Sequence, residues 1–322
     1  MRDRLSSFAE PEIIKLLQDK FVPATDNDWY NRRRKDELGT FFMSVANQGP
    51  RAGSGTKQGH YIISPSGKLL GYNNNRDNWN RLKFINDALE KWAALPESET
   101  KPGAISVPVL DKSKLDPKYH AEVPEGGLAL VASERILKRV DGNLVACTAE
   151  DHDHEWGHLA AVDRMWIQKD EWEQLLAVGK DGGSMPDRLA KRLIRYHLLD
   201  FTRGEPSAWN LDDVKVIDLK LKPLADTSFE LSGKVLVSDD TRGFEADVSG
   251  KIEVDSQERA TRFDMVVVGD HWGHSEFTGG SRPGKAPLGI AFQLGDLTKS
   301  EDRIRPQASH WLQGYWEAEK QF

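Results

Sequence analysis

Apolar positions recur with a helical period in the first part of the chain. Ile13, Ile14, Leu16 and Leu17 follow Pro11 and Glu12, and predict a helix opening near residue 11 with a proline and an acid in its first turn. Tyr30, Leu38, Phe41, Phe42 and Val45 predict a second helix from Trp29 to about Asn47. Trp79, Leu82, Ile85, Leu89 and Trp92 predict a third over residues 77–95. Residues 21–24 read as a short strand, and residues 48–57 as a loop rich in Gly, Pro and Arg. Residues 60–64 and 68–72 read as a hairpin turned by Pro65-Ser66-Gly67. The order is α-β-α-β-β-α.

Residues 96–108 hold Pro, Ser, Glu, Thr, Lys and Gly with few large apolar side chains. This composition predicts a first domain over residues 1–96, a linker over 97–108 and a second domain over 109–322. The second domain is expected to begin with short apolar pieces at 105–110 and 128–131, then a hairpin of 136–140 and 144–148 around Asp141-Gly142-Asn143. A strand at 162–168, a short acid-led helix at 169–176 and a longer helix at 186–201 follow. Alternating runs at 214–221, 228–237, 244–254 and 262–268 predict an antiparallel meander. Gly269-Asp-His-Trp-Gly-His-Ser reads as a loop, and residues 282–288 and 310–316 as loop and edge material. The expected fold class is an α/β first domain followed by an α+β domain built on an antiparallel β meander.

The first segment resembles a thioredoxin-superfamily domain. Glu10-Pro-Glu-Ile-Ile-Lys-Leu-Leu-Gln-Asp-Lys-Phe-Val-Pro is similar to the helix and second strand that follow the active site in thioredoxin-like proteins. Tyr61-Ile-Ile-Ser-Pro-Ser-Gly-Lys-Leu-Leu is similar to their later hairpin. The strand and the Cys-x-x-Cys that precede that helix in the family have no counterpart here, so the resemblance implies a thioredoxin-like domain without redox cysteines. Arg195-Tyr-His-Leu-Leu-Asp and Gly269-Asp-His-Trp-Gly resemble stretches of uncharacterised secreted bacterial proteins that follow thioredoxin-like domains, a likeness that implies no activity.

Composition narrows the classes. A net charge of −7 argues against a general nucleic-acid or anionic-membrane binder, and the basic clusters at 32–35 and 188–195 read as solvated helix faces. No apolar run is long enough to span a bilayer, and no signal-peptide core follows Met1-Arg-Asp-Arg. The chain is therefore expected to be soluble, cytoplasmic as it stands and exported if a leader precedes Met1. A protein partner or a small-molecule ligand is the expected kind of contact. Cys147 is the single cysteine and reads as a buried strand position, so neither an intramolecular disulfide nor a multi-cysteine zinc site can form.

The candidate chemistry lies in residues 151–166, where His152, His154 and His158 crowd around Glu155. His154-Glu155-Trp156-Gly157-His158 matches His-Glu-x-x-His. On a helix that spacing turns both imidazoles toward one zinc ion, with Glu155 placed to act as general base on a metal-bound water. A catalytic zinc needs a third protein ligand. The position six residues after His158 is Arg164, Asp163 falls one short, and Glu171 or Glu173 follows on the next helix. A wider metal set would join His152, His154 and His158 to His271 and His274 across the second domain. Such donors suit zinc first, with copper, nickel and iron as alternatives.

Three functions remain open on these residues. The first is a redox-inactive thioredoxin-like binding or scaffold protein with a His-rich metal site. The second is a zinc-dependent hydrolase using residues 154–158. The third is a thiol oxidoreductase whose cysteines lie upstream of Met1.

Overall fold

The computed structural model describes residues 11–74, 78–106, 109–116, 118–151, 153, 157–307, 309 and 311–320. The chain forms two compact units, the first through Ala121 and the second from Glu122 onward. The division falls later than the expected linker because residues 109–116 are bound into the first unit. Leu115 is buried there, and the amide of Asp116 donates to Asp36 at 2.7 Å.

The first unit runs α1 (Pro11–Lys20), α2 (Asp28–Asn31), α3 (Glu37–Ala46), β1 (His60–Ile63), β2 (Leu69–Asn73), α4 (Asn78–Ala93) and α5 (Glu97–Thr100). β1 and β2 form the expected antiparallel hairpin, with Gly67 at φ 81 in its turn. α4 lies close against β2, where a side chain at Gly71 would come within 2.9 Å of Phe84. Two expectations fail. Residues 21–24 form no strand; Pro23 has no N–H to give a ladder, and Val22 is 96% exposed. The single helix expected from Trp29 is two, because extended Asp36 interrupts it and caps α3 by accepting from Gly39 N. Arg34 pairs with that carboxylate at 2.6 Å, so the break is a buried ionic corner.

The second unit runs β3 (Leu128–Val140), β4 (Asn143–Ala146), β5 (Ala160–Ile167), α6 (Lys169–Asp181), β6 (Gly183–Ser184), α7 (Asp187–Arg192), β7 (Val214–Ala225), β8 (Ser228–Ser238), β9 (Arg242–Val254), β10 (Ala260–Gly273), β11 (Ala286–Leu294) and α8 (Leu312–Trp316). Its antiparallel strands order as β4-β3-β11-β10-β9-β8-β7-β6, with β5 pairing β3 beyond β4. The mixed α and β composition with antiparallel sheets agrees with the coarse fold expectation, and the β7 to β10 meander is present. Alternation puts Leu130, Phe292, Phe263, Phe244 and Phe229 on one buried face, each such side chain contributing roughly 1.5–3 kcal/mol.

Three readings of this unit are corrected. Gly269–Gly273 is not a loop but the end of β10, paired with β9 and β11. Gly269 permits the close ladder there, since a Cβ would lie 1.9 Å from the carbonyl oxygen of Glu245. Residues 282–288 are not all loop and edge material: Ala286 opens β11, which runs on to Leu294 as an interior strand between β10 and β3. The expected helix over residues 186–201 ends early. α7 widens into a π-helical turn, Leu193–His197, that carries Arg195 and His197 inward. Among the described residues no helix is long and apolar enough to cross a membrane.

Candidate functional site

The buried face of the second unit's sheet changes from apolar to charged at one end. His271 continues the inward phase of Phe263, Met265 and Val267 along β10, Arg242 opens β9, and Glu134 sits between Ala132 and Ile136 on β3; all three are buried. Above them lies the turn that follows the π-helical segment. Asp200 begins it and accepts from Thr202 N at 3.1 Å, Thr202 Oγ1 at 2.5 Å and Arg203 Nε at 2.7 Å. An aspartate in this position satisfies the free amides of a tight turn with its own side chain. Both Glu134 oxygens accept from Phe201 N at 3.1 Å, which ties the turn to β3.

His271 Nδ1 stands 3.9 Å from Asp200 Oδ2. Burial lowers the His271 pKa to about 4; Asp200 opposes that shift, while Arg203, Arg282 and Arg242 add to it. The imidazole is therefore neutral at pH 7. Burial also disfavours ionisation of Asp200, but His271, Arg203 and the donated hydrogen bonds hold its carboxyl below the usual range. With His271 neutral, Arg203 and the Thr202 donors carry that effect near pH 7.

Each arginine has its own restraint. Arg242 donates to Asp239 at 3.2 Å and to Ser207 O at 2.9 Å while stacking 4.0 Å over Trp209. Arg203 Nη2 donates to Gly273 O at 2.8 Å. Arg282 Nη1 donates to Leu137 O at 3.1 Å, and its Nη2 is buried without a hydrogen-bond partner. Burial raises the Cys147 pKa against the nearby charge of Arg282, so the thiol is protonated and unreactive at neutral pH.

The predicted site residues distribute unevenly around this turn. His152, His154 and Glu155 lie outside the described residues. His158 is half-buried, and its amide donates to Thr202 O at 2.8 Å. His274 is exposed and directly follows Gly273, the residue that Arg203 holds. His158 and His274 thus adjoin the turn through its two central residues, while His271 faces Asp200 from the sheet below. Among the described residues no group of three or more His, Cys, Asp or Glu is arranged to hold a metal.

At its described end, residues 157 and 158, the motif is not helical. Gly157 has φ 102 and lies against Thr202 and Arg203, and β5 begins two residues after His158. A residue at that φ is not α-helical, so His158 is not carried on an α-helix running through Gly157. The third-ligand candidates are engaged elsewhere. Glu171 is buried between Arg192 and Arg188, and Glu173 reaches Lys169 on the surface at 3.8 Å. Asp163 accepts from Gln307 N at 2.8 Å.

Asp163 also begins a second buried chain of polar groups. His197 Nδ1 lies 3.5 Å from Asp163 Oδ2, and burial lowers the imidazole's pKa against the pull of that carboxylate. His197 Nε2 meets Tyr315 Oη at 3.0 Å, and that hydroxyl accepts from Trp166 N, also at 3.0 Å. The order carboxylate, imidazole, hydroxyl has the outline of a nucleophilic triad. His197 and Tyr315 are at most 1% exposed, however, and burial pushes the tyrosine's pKa upward. The chain locks β5, the π-helical turn and α8 together, and no solvent-borne substrate reaches it.

Sequence reasoning missed Asp200, Arg203, Arg242, Arg282 and Glu134. Two signals were present: a charged Glu134 in phase with Leu130, Ala132 and Ile136, and Asp200 two residues before Thr202 in a turn-forming pattern. The chain matches no family model, no curated protein and no solved structure.

Proposed function

We propose that the protein is a binding or scaffold protein whose second unit holds a divalent metal, zinc first, through the imidazoles at the Asp200 turn. One observation carries this reading. The C-terminal end of the His-rich stretch is fastened to a buried, internally bonded turn by the 2.8 Å bond from His158 N to Thr202 O. A ligand carried by anchored backbone gives up less freedom on binding than one on a free loop. His158 is the described member of the set, and the sequence places His154 and His152 close before it. Exposed His274, which follows the residue held by Arg203, is the candidate further donor.

His271 does not fit as a ligand. Burial and then the guanidinium groups of Arg203, Arg282 and Arg242 disfavour added positive charge on its ring against the opposing pull of Asp200, and a divalent cation there would meet the same three guanidinium groups. It serves as a neutral strut beneath the turn. Binding is favoured over hydrolysis because Gly157 breaks the helix that the hydrolytic motif requires. The first unit is read as a thioredoxin-like scaffold without dithiol chemistry, since its residues through Ala121 include no cysteine.

Elemental analysis by mass spectrometry of untagged protein tests the reading. About one bound divalent metal per chain in the wild type, lost in His158→Ala, is the expected result. A wild type purified and re-dialysed with zinc that holds no metal overturns it.

A further inference from the structure

A second site lies in the first unit, in the shallow concavity lined by Arg32, Arg33, Asn47, Ser54, Gly55 and Lys57. Lys57 is only 4% exposed. Its ammonium donates to Asn47 Oδ1 at 3.1 Å and to Arg51 O at 2.5 Å, both uncharged acceptors. An ammonium has three donors, so one is left over. Burying such a charge beside neutral partners alone is costly, and a bound anion offsets that cost.

The neighbouring cations are also short of anions. Arg33 stacks 4.0 Å over Trp29 and donates to Trp29 O at 3.1 Å. Arg32 donates to Gly55 O, and its buried Nε has no hydrogen-bond partner, with Asp28 Oδ2 3.7 Å away. Asp28 is already committed to the loop, accepting from Lys57 N at 2.9 Å and from Thr56 Oγ1 at 2.9 Å. Among the described residues, the three cations have one carboxylate at hand, Asp28 beside Arg32, and it is already occupied. The rim is Gly49-Pro-Arg-Ala-Gly-Ser-Gly-Thr-Lys, folded in successive turns that bond Ala52 N to Gly49 O and Ser54 N to Arg51 O. Gly53, at φ 71, and Gly55 have no atom within 4 Å of where a Cβ would stand, so the rim is open to a ligand.

We propose that this concavity binds a phosphate group, either the free anion or a small phosphate monoester, through Lys57, Arg33 and Arg32. A dianion with several acceptor oxygens suits a cluster of ammonium and guanidinium donors better than a monovalent carboxylate does. The site is independent of the metal reading, and its failure would leave that reading untouched.

The test is calorimetric titration of the full-length protein with inorganic phosphate, with O-phosphoserine as the monoester and with acetate, at a fixed ionic strength of about 0.15 M. Saturable binding of phosphate or phosphoserine, with acetate weaker by about tenfold or more, is expected. Phosphoserine binding the tighter assigns the site to a monoester, and phosphate binding the tighter assigns it to the free anion. Lys57→Met and Gly55→Asp are each expected to weaken binding by about tenfold or more. Gly55→Asp inserts a negative charge into open space without removing a packed group, so it decides the matter if Lys57→Met does not fold. No saturable uptake by the wild type, acetate bound as tightly as phosphate, or unchanged affinity in Gly55→Asp overturns the proposal.

Discussion

His271 Nδ1 lies 3.9 Å from Asp200 Oδ2, joining the last inward-facing side chain of β10 to the turn that supports His158. This is the point at which an apolar sheet face becomes a charged one. Its energetics follow from burial, because neither group meets bulk water and each depends on the protonation of the other.

The first consequence is acid sensitivity. Folding lowers the His271 pKa from 6.5 to about 4, so as pH falls the unfolded chain takes up this proton first. The stabilising contribution is complete above pH 6.5 and is lost between 6.5 and about 4. Its full size is of the order of 3 kcal/mol, at about 1.4 kcal/mol per unit. Urea unfolding followed between neutral and acidic pH should show a shallower loss of stability in His271→Asn than in the wild type. An identical pH slope in both would contradict the assignment.

Asp200→Asn should be the more damaging change. Three donors converge on that carboxylate, and Arg203 would be left buried without its anion. Breaking one member of a buried pair costs about 3–5 kcal/mol. Chemical denaturation is expected to show a loss of this size, accompanied by loss of metal, because His158 is fastened to the same turn.

Glu171 provides a comparison away from the site. It accepts from Arg192 and, at 2.8 Å, from Arg188, and also closes the capping box of α6 through Gln168 N at 2.9 Å. Glu171→Gln should destabilise the second unit by roughly 3 kcal/mol while leaving metal stoichiometry unchanged in the folded fraction. Thermal unfolding with parallel metal analysis reads both.

Cys147 should be inert in the native state. It is 5% exposed and burial raises its pKa. Ellman's reagent is expected to modify it slowly in buffer and rapidly in denaturant. Rapid stoichiometric labelling of the folded protein would show that the thiol is reachable.

Local chemistry was legible where the signal is local. Asp141 and Gly142 adopt φ 50 and φ 80, the paired left-handed turn their sequence predicts, and the β7 to β10 alternation produced the meander. The charged end of the sheet was harder to see because its members come from distant parts of the chain. Gly269 and Gly273 read as loop residues, yet the absence of a side chain is what lets β9 pass close to β10 there. β11 was missed because the stretch opens with Arg282, Pro283 and Gly284, which mask the apolar alternation of Leu288, Ile290 and Phe292. The histidine cluster was conspicuous in the sequence, but the turn that anchors its end is built by Asp200 and Arg203, whose roles appear only when the fold brings them beneath it.

The most direct test is zinc competition against a chromophoric chelator in untagged wild type, His158→Ala, His274→Ala and His271→Asn. One tight site is expected, weakened by about tenfold or more in His158→Ala, weakened less in His274→Ala and retained in His271→Asn. Equal zinc affinity in the wild type and His158→Ala would show that the imidazole of His158, whose backbone amide is fastened to Thr202, takes no part in binding.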